Sequence, residues 1–451
     1  MSFKQTSLGL IPEDWEVDII NNIKSAEKNS ISMGPFGSRI KKENFIDSGV
    51  PIIRGVNLKE FEFFEGDFVF VSEEKAEELK ASWVKPKDIV ITHRGTLGQV
   101  GFIPENSKYK KYIVSQSGMK LTCDENKVLS KFLYYYLNSR IGQYFLLMNK
   151  SQVGVPAIAQ ASTSLKKIPV PLPPINEQKA IVSILTSLDE KIENNNQINK
   201  KLEEMAQVIF KRWFVDFEFP NEEGMPYKSS GGEMVESEFG MIPVESEVKK
   251  IGDLPITVSD YVANGSFKSL KENVSFYEEE NYALFVRNTD LKCNFQSQTR
   301  YMDEKSYEFL RKTKLYGGEV IISNVGDVGS VYLCPYFKIP MSLGNNVIMI
   351  NSNNHNSNHN IFIFRLFKSY YGQGLIEGIT GGSAQPKFNK TDFRNLKMVM
   401  PSNKLLNDYN AIASSLESKI LENNNQNKKL ERIRDTLLPK LISGEIRVPV
   451  E

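Results

Sequence analysis

With 451 residues, 40% of them hydrophobic and 25% charged, the chain is long enough for two or more domains with full cores and has an ordinary globular composition. Lysine and arginine number 56 against 55 acidic residues, so a net charge of +1 argues against gripping nucleic acid by bulk charge; such contact needs local patches or partners. No stretch approaches ~18 uninterrupted apolar residues, which excludes a transmembrane helix; MSFKQTSLGL lacks the blocks of a signal peptide, and Cys123, Cys293 and Cys334 share no short spacing, so a reducing cytoplasm is expected.

Residues 1–172 carry short β-branched and aromatic runs, DFVFVS, DIVITH and YIVSQS, separated by GPFGS, VKPKD and FIPEN. That alternation predicts strands joined by turns, closed by a helical stretch, SKFLYYYLNSRIGQYFLL, from Ser130. The prolines of PLPPINEQ suit a helix start. Over 173–224 apolar residues then recur at Ile181, Leu185, Leu188, Ile192, Leu202, Ala206 and Ile209, with Asn195 and Asn199 in the two central seam positions. Alternating steps of three and four predict a coiled-coil helix. Residues 225–400 repeat the first plan, with FIFRLFKSYYGQGLI near Phe362 as the matching helix, and 401–451 repeat the second. The second seam reads Ala413, Leu416, Ile420, Asn423, Asn427, Leu430 and Leu437.

The repetition is literal in places. KIENNNQINKKLE at Lys191 returns as KILENNNQNKKLE at Lys419, a shift of 228 positions (419 − 191). LGLIPEDWEV at Leu8 returns as FGMIPVESEV at Phe239, DIVITHRGTLGQVG at Asp88 as EVIISNVGDVGSVY at Glu319, and PIIRGVNLK at Pro51 as LFVRNTDLK at Leu284. Two copies are too few and too long for a solenoid. The expected fold is α/β (α+β): two similar mixed lobes related by a pseudo-two-fold axis and separated by long antiparallel coiled-coil helices. Antiparallel pairing is self-consistent, because setting Asn195 against Asn427 also sets Asn199 against Asn423, Ile192 against Leu430 and Leu202 against Ile420. Buried Asn pairs penalise a slipped register.

Catalytic signatures are missing. No glycine is followed by lysine, so there is no phosphate-binding P-loop, and PLPP at Pro171 lacks the acid or amide of a [DN]PP[YF] methyltransferase motif. His355 and His359 sit in NSNNHNSNHN, read as a polar surface loop rather than a metal site. Acid-x-lysine triplets such as Glu125 to Lys127 are expected by chance in so charged a chain. No metal, no cofactor and no enzymatic activity are expected in this chain.

Assembled, these parts resemble the specificity (S) subunit of Type I restriction–modification systems. LGLIPEDW, PLPPINEQKAIVSILTSLDEKI, FKRWFVDFEF and LLPKLISGEIRV carry the resemblance, which covers essentially the whole chain. The second copy departs from it where VMPSNKLLNDYNAI replaces PLPPINEQKAIV. The resemblance implies two target-recognition domains (1–172 and 225–400), each reading one half of a split, asymmetric sequence in double-stranded DNA. It implies helices (173–224 and 401–451) that set the gap and dock two modification (methyltransferase) subunits. It implies two restriction subunits in the full complex, with S-adenosylmethionine, ATP and Mg²⁺ in those partners. The alternative is a two-lobed structural adaptor that binds proteins without reading DNA, favoured by the near-neutral charge.

Candidate DNA contacts follow from local chemistry. GPFGSRIKK places glycines beside Arg39, Lys41 and Lys42, suited to phosphates. HRGTLGQ holds His93, Arg94, Thr96 and Gln99 in a Gly-bracketed turn between strands. SKYKKY interleaves Lys108, Lys110 and Lys111 with tyrosines, a nucleic-acid pattern or else a lysine-guarded edge strand. In the second copy the equivalents are Lys268, Lys271, Asn324, Asp327 and Ser330, with Lys387, Asn389 and Lys390 after GGSAQP. Arg54 and Arg287 match each other after apolar strands, with an internal pairing role ahead of base reading. Phe210, Trp213 and Phe214 are expected as exposed aromatics of the subunit-docking surface, with core packing as the competing role.

Overall fold

In the computed structural model, described over residues 2–59, 61–151, 154–295, 298–352, 359–382 and 384–449, the chain divides into two compact units. One is Met1–Asn196 with Asn424–Glu451, the other Gln197–Asn423. Each unit therefore holds one lobe and half of each long helix, the helices being Ile175–Phe214 and Asn403–Ser443.

In the first lobe, Ile89–Thr92 pairs antiparallel with Val100–Phe102 and with Gly118–Leu121, which in turn pairs with Ile31–Met33. A second sheet sets Val50–Ile53 parallel to Tyr112–Val114, flanked by Val69–Val71 and Trp83–Val84. The second lobe reproduces both. Val320–Ser323 pairs with Val331–Leu333 and Val347–Asn351, the latter with Thr257–Asp260. Ala283–Val286 runs parallel to Met341–Leu343. The central strands IVIT and VIIS are buried along their whole length, which is why they read as continuous apolar runs and not as alternating ones.

The stretch from Ser130, expected as one helix, is two: Ser130–Asn138 and Arg140–Leu147. Ser139 is extended, and its Oγ accepts the Gly142 amide at 3.2 Å, so a serine N-cap restarts the chain in a new direction. Ser369 does the same to Gly372 at 3.1 Å in the second lobe. A side chain at Gly142 or Gly372 would overlap the backbone of the preceding helix, so the bend needs both the serine and the glycine.

The first long helix stops at Phe214, ten residues short of the expected boundary at 224. The Lys211 carbonyl there takes the amides of both Val215 and Asp216. The second stops at Ser443, where Gly444 adopts φ 72°. In the first unit, Ile181 and Leu185 share a core with Leu438, Leu441 and Ile442, and Asn195 bonds Asn427. In the second unit, Asn423 donates to Asn199 at 2.8 Å, and Phe210 and Trp213 share a core with Tyr409 and Ala413. Both halves are antiparallel.

Phe210, Trp213 and Phe214 are not an exposed docking face. Phe210 is 1% and Trp213 8% exposed, and the Phe214 ring lies 4.9 Å from Phe362 and 4.8 Å from Tyr409. Steps of three and four along a helix keep these aromatics on the seam side, where the second lobe covers them.

Candidate nucleic-acid interface

One loop construction is built twice. After Ile89–Thr92, the Gly98 amide returns to the Thr92 carbonyl at 3.1 Å and the Thr92 amide bonds Gln99 O at 2.9 Å. The tip is held from the side, Gly95 N to Pro156 O at 2.9 Å and Ile158 N to His93 O at 2.9 Å. In the second lobe, Gly329 N bonds Ser323 O (3.0 Å), Ser323 N bonds Ser330 O (2.9 Å), Gly326 N bonds Pro386 O (3.1 Å) and Phe388 N bonds Asn324 O (3.1 Å). Gln143 and Gln373 each brace the second glycine, Gly98 or Gly329, through its carbonyl at 3.0 and 2.9 Å. Gly95, Gly98, Gly326 and Gly329 all lie at φ between 79° and 88°, where a side chain would strain the turn. The backbone is the same twice; the side chains on it differ.

On the first loop, Arg94 and Thr96 are exposed, and Arg94 has no ion pair or side-chain hydrogen bond among the described residues. His93 is 5% exposed, packs against the Phe36 ring at 6.5 Å, and leaves Nε2 without a partner among the described residues. Burial pushes its pKa down, which keeps the imidazole neutral. Beside it opens a cleft of about 470 Å³ lined by Met33, His93, Arg94, Val155, Gln160 and Ser162. Arg39, Lys41 and Lys42 are exposed on short turns after Phe36, with Lys41 3.4 Å from Glu43. Gln99, by contrast, turns inward and donates to the carbonyls of Gly55 (3.2 Å) and Leu58 (3.0 Å), so it is not available to bases.

SKYKKY does not offer stacking aromatics. Tyr112 is fully buried and donates to Glu65 at 2.5 Å; burial and that carboxylate push its hydroxyl up to about 12. Tyr109 packs on Phe68 and Phe70. Lys111 is held by Glu73 (3.0 Å) and Glu77 (3.4 Å) and covers the Trp83 ring. Lys108 and Lys110 stay exposed. The strand that follows is interior to its sheet, so the edge-strand reading is also set aside.

In the second lobe Lys268, Lys271 and Lys387 are exposed. Other candidates are engaged: Asn324 donates to Phe388 O at 3.2 Å, and Asn389 caps the helix Lys390–Asn395 through Asp392 N at 2.9 Å. Lys390 pairs with Asp260 at 2.9 Å. Asp327 pairs with Lys292 at 3.1 Å, which lowers its pKa, while Ser330 is half-buried. Arg54 donates to the Asp67 carbonyl, and Arg287 grips Asp290 (2.9 and 2.6 Å), so both are internal braces. Glu125 accepts the Ser130 amide at 3.0 Å, and Lys127 donates to Asn22 O, a structural use of both. His355 lies outside the described residues. His359 is no surface residue but 7% exposed, next to the helix Asn360–Lys368, and no metal-binding cluster occurs among the described residues.

The first lobe's bracing segment, Val155 to Gln160, is not among the candidates the sequence offers, although its counterpart Lys387–Lys390 is. Its signal was the shared Pro-x-apolar step, Pro156–Ile158 against Pro386–Phe388, at the repeat shift.

A family model described as the Type I restriction modification DNA specificity domain matches residues 32–204. The chain is 27% identical to the Type I restriction enzyme MjaIX specificity subunit of Methanocaldococcus jannaschii, covering 99% of this chain and 96% of that one. It is 25% identical to the HindI specificity subunit of Haemophilus influenzae, over 76% and 84% of the two chains. Among solved structures, the S subunit of a Type I restriction–modification system from M. genitalium matches over 96% of both chains at 18% identity and a TM-score of 0.56, a likeness of fold. No helix among the described residues is long and apolar enough to cross a membrane.

Proposed function

We propose, from the premise that this chain belongs to the specificity subunits of Type I restriction–modification systems, that it reads a split, asymmetric sequence in double-stranded DNA, one half with each lobe. The observation that carries the reading is the loop cradle built twice with different tips. A fixed backbone positions the loop, and exchangeable side chains specify the base. Arg94 with Thr96 supplies a forked cation and a hydroxyl on the first tip; Val325 with Asp327 supplies neither a cation nor a fork on the second. The two half-sites therefore differ.

The long helices set the gap between halves and dock two methyltransferase subunits. Exposed Ile198, Met205 and Val208 (42%, 52% and 65%) replace the buried aromatics as the docking residues. The chain itself is non-catalytic. Its methyltransferase partners supply the S-adenosylmethionine chemistry, and two restriction subunits in the full complex supply ATP- and Mg²⁺-dependent cleavage, in the cytoplasm. Selection of bound duplexes from a randomised pool by the chain with its methyltransferase subunit tests this. Enrichment of two short, unlike motifs at one fixed gap supports the reading; no enrichment from an intact complex contradicts it.

A further inference from the structure

The base of each lobe has a corner where the start of the lobe, the start of one long helix and the segment after the other helix meet. In the first unit this corner is sealed. Trp15 is fully buried and its indole N–H donates to Glu177 Oε2 at 3.0 Å. Arg447 binds the same carboxylate through Nε at 2.6 Å and grips Asp14 with Nη1 and Nη2 at 2.9 and 2.8 Å. One guanidinium thus satisfies two carboxylates and covers the indole.

The repeat shows what stands at each place in the second unit. LGLIPEDWEV against FGMIPVESEV puts Glu245 where Asp14 is and Ser246 where Trp15 is. The strand pairs Pro169–Leu172 with Glu16–Ile19 and Lys397–Met400 with Glu247–Lys250 keep that register, so Leu405 takes the place of Glu177. The helix shift of 228 persists past both helix ends, where Glu218 N bonds Arg212 O as Ile446 N bonds Lys440 O, and it puts Phe219 in the place of Arg447. The indole, its acceptor and the guanidinium are all gone, while an acid remains at the place of Asp14.

Instead of a seal there is a cleft of about 630 Å³, walled by Trp213, Phe219 and Tyr227. Glu222, Glu245 and Asp408 line it against the single Lys404, and none of the three carboxylates has an ion pair among the described residues. The cleft also reaches Ile412, which is 39% exposed on the second long helix, so it adjoins an apolar helix face open to a partner. Its acids repel phosphate, which rules DNA out as the occupant.

We propose that this cleft is a socket for an arginine-bearing segment of a methyltransferase subunit, the incoming guanidinium and its apolar neighbours restoring what Arg447 and Trp15 supply in the first unit. The proposal rests on the reading of the chain as a specificity subunit. It adds that the two docking ends are chemically unequal: one is sealed from within the chain, the other completed by the partner. Aromatic walls and an acidic rim suit arginine better than lysine, since the planar group stacks while it pairs.

The test titrates the methyltransferase subunit encoded with this chain against the full-length chain, by calorimetry and sedimentation. The variants are Ser246→Trp, which refills the cleft, and the double reversal Glu245→Lys with Asp408→Lys, which needs no new volume. Wild type binds two copies; each variant weakens one of the two sites at least tenfold and leaves the other unchanged. If Ser246→Trp fails to fold, the double reversal still decides. Unchanged binding of both copies by the reversal variant overturns the socket alone. No binding of the methyltransferase by wild type overturns the specificity-subunit reading along with it.

Discussion

Asn195 donates from Nδ2 to Oδ1 of Asn427 at 2.7 Å across the seam of the two long helices, and both side chains are buried. Asn427 passes its own Nδ2 to Asn196 Oδ1 at 2.8 Å, and Asn195 Nδ2 also reaches Gln426 Oε1 at 2.8 Å, so the amides form a relay across the seam. Leucine at Asn195 leaves the Asn427 amide facing an apolar neighbour and is expected to cost about 1–3 kcal/mol. Leucine at both positions recovers most of that stability while loosening the register. Urea denaturation of the two single variants and the double variant checks this; a single variant as stable as wild type contradicts it.

Arg94 stands free at the tip of the first loop, where the second loop has Val325. Arg94→Ala should lose about 1–3 kcal/mol of discrimination at one position of one half-site, the value of a bidentate base contact. The other half-site and the gap should stay as they are. Comparing enriched sequences from wild type and variant reads this directly, and relaxation in both halves would speak against one lobe per half-site.

Arg365 is 1% exposed and pairs with Glu203 at 2.8 Å and with Glu417, clamping the second lobe to both helices. The first lobe solves the same problem with the polarity changed: Tyr135, at the matching helix position, donates to Asp189 at 2.6 Å, and Arg434 binds Asp189 at 3.2 Å. Arg365→Ala leaves the half-buried Glu417 without its cation, while Lys368 still holds Glu203, and should destabilise by about 3 kcal/mol. Glu417, whose pKa burial already raises, would then take up a proton more readily, so the variant should lose less stability in acid than at neutral pH. A loss that does not change with pH would contradict this assignment.

His93 gives a pH dependence of opposite sense. Burial lowers its pKa below the ordinary 6.5, so the folded protein resists a proton that the unfolded chain accepts. The stability it contributes is complete above about 6.5 and is lost as pH falls below that, through the depressed folded value. His93→Gln should remove this share, making the fall of the urea midpoint from pH 7.5 to 5 shallower than in wild type. Parallel curves would show that His93 is not a neutral buried imidazole.

The sequence made the architecture legible because the evidence was doubled. A heptad seam with two asparagines on each helix leaves one antiparallel register, and Asn195 meets Asn427 and Asn199 meets Asn423 in it. Strands buried on both faces were legible as apolar runs for the same reason. Side-chain engagement was not. Gln99, Lys111, Asn324 and Lys390 look like surface polar residues in one dimension and are bound to partners 41, 38, 64 and 130 positions away. Phe210, Trp213 and Phe214 read as exposed because their cover, Phe362 and Tyr409, comes from distant segments. The sealed and open corners became visible only when structure fixed which residues of the two copies stand in the same place.

The most direct test of the central claim is the base-methylation map of DNA from cells carrying this chain with its methyltransferase subunit, set against cells lacking this chain alone. The account predicts a split motif, two short unlike halves at one fixed gap, present only when this chain is present. An unchanged map, with the methyltransferase active and bound, would contradict it and make the chain a structural adaptor.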